Sequence, residues 1–277
     1  MAEGESDLID LPFGIEMDIA HACNLHCRNC SHYSNYGLKG VVPLAQGIPW
    51  LSAVSKRLRP KTFYLLGGEP VLNRQLCDYL WLASELWPDI ERGMVSNGLL
   101  LDRQPDLWPT LAATGSILQI SHHTQPPDQY RAAIAKARAM ADQHGVKLIV
   151  RENRVLFYST YRGEGAAMRP FDDGSPARSW AACCEKFCLT LFRGRLWKCP
   201  PIAYLRLVSE KFGLDSVPEW QPYLAYAGLD VHSSKEQYKT FLNANFAPES
   251  ICGMCPVQLE FFSHRPDETA PPSDPTD

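Results

Sequence analysis

Three cysteines within eight residues, Cys23-Asn-Leu-His-Cys27-Arg-Asn-Cys30, directly follow the apolar run Gly14–Ala20, and they constrain this chain more than any other feature. Three soft thiolate ligands on one short loop can hold three irons of a 4Fe–4S cluster and leave the fourth iron open to a substrate. A zinc knuckle is the alternative, with His21, His26 or His32 as the fourth ligand. The sequence holds 10 cysteines in 277 residues, with no basic-then-apolar leader at its start. A chain of that length uses cysteines for metal or catalysis more readily than for a disulfide framework.

Composition closes off several other classes. Hydrophobic residues at 45% and charged residues at 21% suit a folded globular protein rather than a disordered one. The net charge of −4 gives no general attraction for nucleic acid or an anionic membrane, so neither is expected as a partner. No apolar run is long enough for a spanning helix. Glu3, Glu5, Asp7 and Asp10 occupy the place of a signal peptide, and a cytoplasmic protein is expected. The stretch His264–Asp277, rich in proline and acids, reads as a disordered tail.

From Phe13 to Arg151, short apolar runs alternate with longer helical stretches. Strands are expected at Gly14–Ala20, Thr62–Leu66, Gly93–Ser96, Ile117–Ser121 and Lys147–Arg151. Helices are expected at Leu44–Leu58, Asn73–Leu86 (capped by Asn73), Pro105–Ala113 and Asp128–His144. Connections this short favour parallel strands in an α/β open or closed barrel. The second expected strand runs into the turn Gly67-Gly68-Glu69-Pro70. After about Asn153, Gly163, Gly165, Pro170, Gly174 and Pro176 mark an irregular stretch, followed by a smaller module.

The three-cysteine loop and the Gly67-Gly68-Glu69-Pro70 turn, in that order and separation, resemble the radical S-adenosylmethionine (radical SAM) superfamily over roughly Phe13 to Asn153. The resemblance implies a partial (β/α)6 barrel over residues 13–160. It also implies a 4Fe–4S cluster on Cys23, Cys27 and Cys30 whose open iron chelates the amino and carboxylate groups of SAM. Gly67, Gly68, Glu69 and Pro70 would meet the SAM ammonium, with Glu69 as the compensating charge. Ser96, Asn97, Ser121 and Arg151, at strand ends, are the further SAM contacts. The sequence departs from the family at Asn29, where many members carry an aromatic residue near the adenine.

A second group of cysteines lies in the last third. Cys188 and Cys199 bracket an expected hairpin turn at Arg193-Gly194, and Cys252-Gly-Met-Cys255 adds a close pair. Four thiols fit a structural zinc, and two pairs fit disulfides. Behind a radical SAM barrel they resemble the twitch module, a shortened SPASM domain. That likeness implies an auxiliary 4Fe–4S cluster on Cys188, Cys199, Cys252 and Cys255, with residues 161–263 holding the remaining barrel elements and this module.

Radical SAM chemistry implies a 5′-deoxyadenosyl radical that abstracts hydrogen from an unactivated carbon. Small twitch members act on aminocyclitols and aminoglycoside sugars, either oxidising an alcohol or inverting a carbon with a cysteine thiol as hydrogen donor. Two clusters leave Cys77, Cys183 and Cys184 spare. Cys77 reads as a buried small hydrophobe on a helix. If the Cys183–Cys188 stretch is helical, Cys184 faces the cluster side with Cys188, and Cys183 is rotated by about 100° toward the barrel mouth. The expectation is therefore an epimerase of a carbohydrate or aminoglycoside with Cys183 as donor, served by a flavodoxin- or ferredoxin-type electron donor. A sugar dehydrogenase and a peptide-modifying enzyme are the alternatives, the latter disfavoured because only about a dozen residues precede the first strand. His122, His123, Glu152, Arg154 and Tyr161 are candidate contacts for sugar hydroxyls, and a non-catalytic zinc protein is the reading outside enzymology.

Overall fold

A computed structural model describes residues 8–121, 127–151 and 157–262. His122, His123, Glu152, Arg154 and the tail 264–277 lie outside them. The chain alternates β1 (Ile9–Ala20), α1 (Leu44–Ser55), β2 (Leu58–Gly67), α2 (Leu76–Leu86), β3 (Glu91–Ser96), α3 (Leu107–Thr114), β4 (Ile117–Ser121), α4 (Pro127–His144) and β5 (Leu148–Arg151). These strands are parallel throughout and ordered β5-β4-β3-β2-β1. Beyond β6 (Phe157–Tyr158) and α5 (Pro176–Ala182), β7 (Leu189–Phe192) joins the free edge of β1 as a sixth parallel strand. The hairpin expected in a separate module thus extends the barrel sheet. An α/β partial barrel of six parallel strands results.

Period-two alternation sets the inside and outside of β1. Ile15, Met17 and Ile19 are fully buried in the apolar core between sheet and helices. Glu16 and Asp18 therefore face the opposite, concave side. β2 begins four residues before Thr62, the first residue opposite β3, so Pro60 pairs only with β1 and forfeits no ladder bond to β3. This early start ends α1 at Ser55, short of the expected Leu58. Asn73 does not cap α2, which opens at Leu76. Its amide instead donates to the Ile19 and Val42 carbonyls, both at 2.9 Å, pinning the turn after β2 to the end of β1.

β8 (Arg195–Trp197) returns antiparallel to β7 through Arg193-Gly194, whose φ values of 49° and 70° are those of a two-residue primed turn. After α6 (Pro200–Phe212), α7 (Gln221–Leu224), β9 (Leu229–Asp230) and α8 (Lys235–Asn245), the chain reaches the 3-10 turn Ser250–Met254 and β10 (Phe261–Phe262). A second core of Tyr33, Tyr161, Met168, Phe192, Trp197, Tyr204, Trp220 and Met254 lies here. Tyr161 is 1% exposed, with its hydroxyl bonded by that of Tyr36 at 3.0 Å. It packs this core and does not present itself at the barrel mouth. Among the described residues no helix is long and apolar enough to cross a membrane.

Candidate active site

The loop after β1 carries Cys23, Cys27 and Cys30 to one rim of a cavity of about 280 Å³. The Cys30 N–H bonds the Cys27 carbonyl at 3.1 Å and the Leu25 N–H reaches the Cys23 sulfur at 3.4 Å, so turns within the loop set the thiols. Asn29 sits at φ 54°, a left-handed conformation that asparagine tolerates better than an aromatic residue. Backbone N–H groups of Gly68 and Glu69 donate to the Ala20 and Ala22 carbonyls at 2.8 and 2.9 Å. A Cβ on Gly68 would collide with the Ala22 carbonyl and the Cys23 side chain. Glycine is needed there because the turn and the cysteine loop lie against each other.

Of the sequence-expected SAM contacts, Gly67, Gly68, Ser96, Asn97, Ser121 and Arg151 line this cavity with the three cysteines. Glu69 and Pro70 are buried behind it. The Glu69 carboxylate accepts from the Ser96 hydroxyl at 2.7 Å, the Asn97 N–H at 2.9 Å and the Val71 N–H at 3.3 Å. Burial nevertheless pushes its pKa up to about 7. Glu69 thus holds the ends of β2 and β3 together, and the Asn97 amide continues the brace to Asn24 of the cysteine loop at 2.8 Å. The geometry adds this bracing role to the SAM contact that the resemblance implies.

The cavity also exposes residues that the motifs did not single out. Glu16, Glu185, His32, Ser34 and Cys188 line the side nearest β1 and β7. Burial raises the Glu16 carboxyl to about 7. His32 stacks on Tyr204 and its Nδ1 lies 2.7 Å from Asp18 Oδ2, in a pair whose carboxylate is 2% exposed. Burial opposes charge on His32, but Asp18 outweighs it and lifts the imidazole to about 10. Of the candidate zinc histidines, His32 is thus committed to Asp18, His26 to the Asn35 carbonyl at 3.3 Å, and His21 stands edge-on to Phe192. The legible signal for this wall was two acids, Glu16 and Asp18, on one face of an otherwise apolar strand.

The second cysteine group divides otherwise than the spacing implied. Helix α5 ends at Ala182, and Cys183 caps it with φ −64° and ψ 129°, so no helix continues toward Cys188. Cys183 turns into a second, smaller and almost wholly apolar pocket with Cys199, Cys252 and Cys255. Burial raises its thiol to about 12, and the other two of highest burial, Cys199 and Cys255, are also pushed well up. Cys188, on the concave face two residues before Thr190, which pairs with Glu16, opens instead into the first cavity. Cys184 is exposed and lines neither. The fourth thiol of the second group is Cys183, and the thiol facing the first cavity is Cys188. This placement is the reverse of the one read from helical periodicity.

The second pocket is built by long-range ties. The Ser179 hydroxyl donates to the Cys255 carbonyl at 2.9 Å, and the Phe171 and Asp172 N–H groups donate to Met254 and Gly253. Lys198, 2% exposed, sends Nζ to the carbonyls of Asn245 and Ala247 and to Glu249, each at 2.8 Å. It fixes the approach to Cys252 from the end of α8. Among the described residues no three His, Cys, Asp or Glu side chains converge on a single-ion site. A cubane cluster has a different requirement, since each iron takes its own thiolate from a different wall. Three thiols beside a cavity whose walls include Glu16, His32, Ser96 and Asn97 fit a SAM-binding cluster, and four around an almost wholly apolar pocket fit a closed one.

The Radical SAM superfamily model matches residues 17–151, from the middle of β1 to the end of β5. Residues 17–151 therefore carry a radical SAM domain. Among solved structures it is similar to BtrN in complex with AdoMet and 2-DOIA, at 18% identity and a TM-score of 0.45, over 84% of this chain and 88% of that one. It is also similar to anSMEcpe with bound AdoMet, at 15% identity and a TM-score of 0.40, over 50% of this chain and 43% of that one. Streptococcus suis SuiB bound to precursor peptide SuiA matches at 12% identity and a TM-score of 0.39, over 90% of this chain and 67% of that one. The chain thus spans less than half the length of anSMEcpe, and likenesses this distant say nothing of substrate. No curated protein matches the sequence.

Proposed function

We propose that this radical SAM enzyme inverts a hydroxyl-bearing carbon of a carbohydrate or aminoglycoside, with Cys188 as the hydrogen donor. The reading rests on one observation: Cys188, which does not line the pocket of Cys183, Cys199, Cys252 and Cys255, opens into the cavity that the three-cysteine loop borders. Cys23, Cys27 and Cys30 would hold the SAM-binding 4Fe–4S cluster, and Cys183, Cys199, Cys252 and Cys255 a second one. When bound, SAM and its cluster supply a carbon-centred radical that removes hydrogen from the substrate.

The chain's own contribution is to hold an S–H bond against the substrate. Burial, reinforced by Glu16 and Glu185, pushes the Cys188 thiol up and keeps it protonated, as hydrogen-atom donation requires. Cys188 gives its hydrogen to the opposite face of the carbon. A flavodoxin- or ferredoxin-type donor would supply two electrons per turnover, one for radical formation from SAM and one that, with a solvent proton, reduces the Cys188 thiyl back to the thiol. In deuterated water the product should carry one deuterium at the inverted carbon, and Cys188→Ala should lower inversion by more than about a hundredfold, as losses of a catalytic group do. A ketone product without solvent deuterium would make the enzyme a dehydrogenase instead.

A further inference from the structure

The second pocket carries charge of one sign only. Among the described residues, the charged side chains that line it beside the thiols are Lys186 and Lys198, and no acid does. Lys198 is 2% exposed, and its three acceptors at 2.8 Å, two carbonyls and the Glu249 carboxylate, take all three protons of an ammonium group. It therefore acts on the pocket by charge and not by hydrogen bond. That charge is felt at the thiols, since burial pushes Cys252 up and Lys198 opposes the push. Two N–H groups add to it independently. Trp180 lines the pocket with Nε1 buried and without a partner among the described residues, while Lys186 lies 5.1 Å over its ring. Cys199 caps α6, and Pro200 and Pro201 have no N–H, so the first free one, that of Ile202, bonds the Cys199 sulfur.

We propose that Lys198 and Trp180 set the reduction potential of a 4Fe–4S cluster in the second pocket, holding it above what apolar burial alone would give. This rests on Cys183, Cys199, Cys252 and Cys255 holding that cluster, as in the proposed enzyme. One-electron reduction adds negative charge to a cluster that four thiolates already make anionic, and apolar walls disfavour it. A buried cation and a donor with no other partner favour it, which raises the potential. Glu249 is the counterweight, because its carboxylate lies 2.8 Å from Lys198 Nζ and offsets part of that charge. Both are positioning residues: they leave the ligands in place and bias how readily the cluster takes an electron. A side chain that only closed the end of α8 against the pocket would be indifferent to the sign of the charge removed.

The test uses the full chain as Cys23→Ala/Cys27→Ala/Cys30→Ala, reconstituted anaerobically so that one cluster remains to report. The readout is a dithionite titration followed by electron paramagnetic resonance. Added to this parent, Lys198→Gln should lower the midpoint potential and Glu249→Gln should raise it. At the parent's midpoint each should change the oxidised-to-reduced ratio at least about threefold, in opposite senses, a shift of roughly 28 mV at about 59 mV per decade. Trp180→Phe removes an N–H that no protein group accepts, so it should lower the potential by less and leave apo-protein stability unchanged. Potentials that coincide in all four proteins overturn the proposal. So does a move in the same direction for Lys198→Gln and Glu249→Gln, the mark of a pocket merely loosened. Should Lys198→Gln shed its iron, Trp180→Phe and Glu249→Gln must still move apart, and equal potentials in that pair refute it. A parent that takes up no iron sinks the second cluster itself, whereas a cluster with an unmoved potential sinks only this assignment.

Discussion

The two cysteine-lined pockets are built from the same ligand type and differ in everything around it. The first has three thiols, a roomy cavity and walls of serine, asparagine, glutamate and histidine. The second has four thiols and apolar walls, with its one buried cation, Lys198, consumed by backbone carbonyls and Glu249. Ligand count and wall chemistry agree in each case. The pocket with three thiols has polar and charged side chains in its walls, and the pocket with four is almost wholly apolar. On the proposed reading, the chemistry belongs to the first pocket and the second is suited to electron storage or structure.

The largest effect that could break this contrast is in iron content. Reconstituted protein should hold about eight irons, and Cys23→Ala/Cys27→Ala/Cys30→Ala about four, by one iron–sulfur cubane per pocket. Retention of all the iron would remove the first pocket from the metal chemistry. Next is Lys198→Met, which strands Glu249 and the carbonyls at the end of α8. It should cost about 3–5 kcal/mol in thermal unfolding, as loss of one partner of a buried charge pair does. It should also deplete iron from the second pocket before the first. Uniform loss from both would show that the two are not separately supported.

Glu69→Gln sharpens the contrast from the other side. It replaces one of the two acceptor oxygens, the one facing the Asn97 N–H or the one facing the Val71 N–H and the Ser96 hydroxyl, with a donor NH2, at a cost of about 1–3 kcal/mol in stability. SAM affinity should fall only as far as Asn97 and the cysteine loop are displaced. Unchanged stability with weakened SAM binding would make direct contact with SAM the main role of Glu69. A smaller effect is in pH. Folding raises the carboxyls of Glu16 and Glu69 from an ordinary 4.5 to about 7. Between these values the folded state binds more protons than the unfolded one, so apo-protein stability should fall as pH rises from about 4.5 to 7. Denaturation of Glu16→Gln/Glu69→Gln across that range should give a flatter curve.

The barrel was legible because Gly and Pro punctuate its apolar runs, and β4 falls on Ile117–Ser121 as the pattern expects. The first three thiols were equally plain, being close in sequence. What could not be read was which distant thiol completes the second set. Cys183 and Cys188 are five residues apart, and only the end of α5 at Ala182 sends one to each pocket. That end depends on α5 packing against the Ser250–Met254 turn some seventy residues later. Asn73 failed as a helix cap for a similar reason, because the β1 and Val42 carbonyls claim its amide. Glu16 and Asp18 were visible as acids on an apolar strand, but the concave face they share gained meaning only with β7 in place.

The division of Cys183 from Cys188 is the central claim, and iron counting in two single variants tests it most directly. Cys188→Ala should keep about eight irons per chain, because its thiol serves no cluster, whereas Cys183→Ala should fall toward about four as the second pocket loses a ligand. Iron lost in Cys188→Ala and kept in Cys183→Ala would contradict the account.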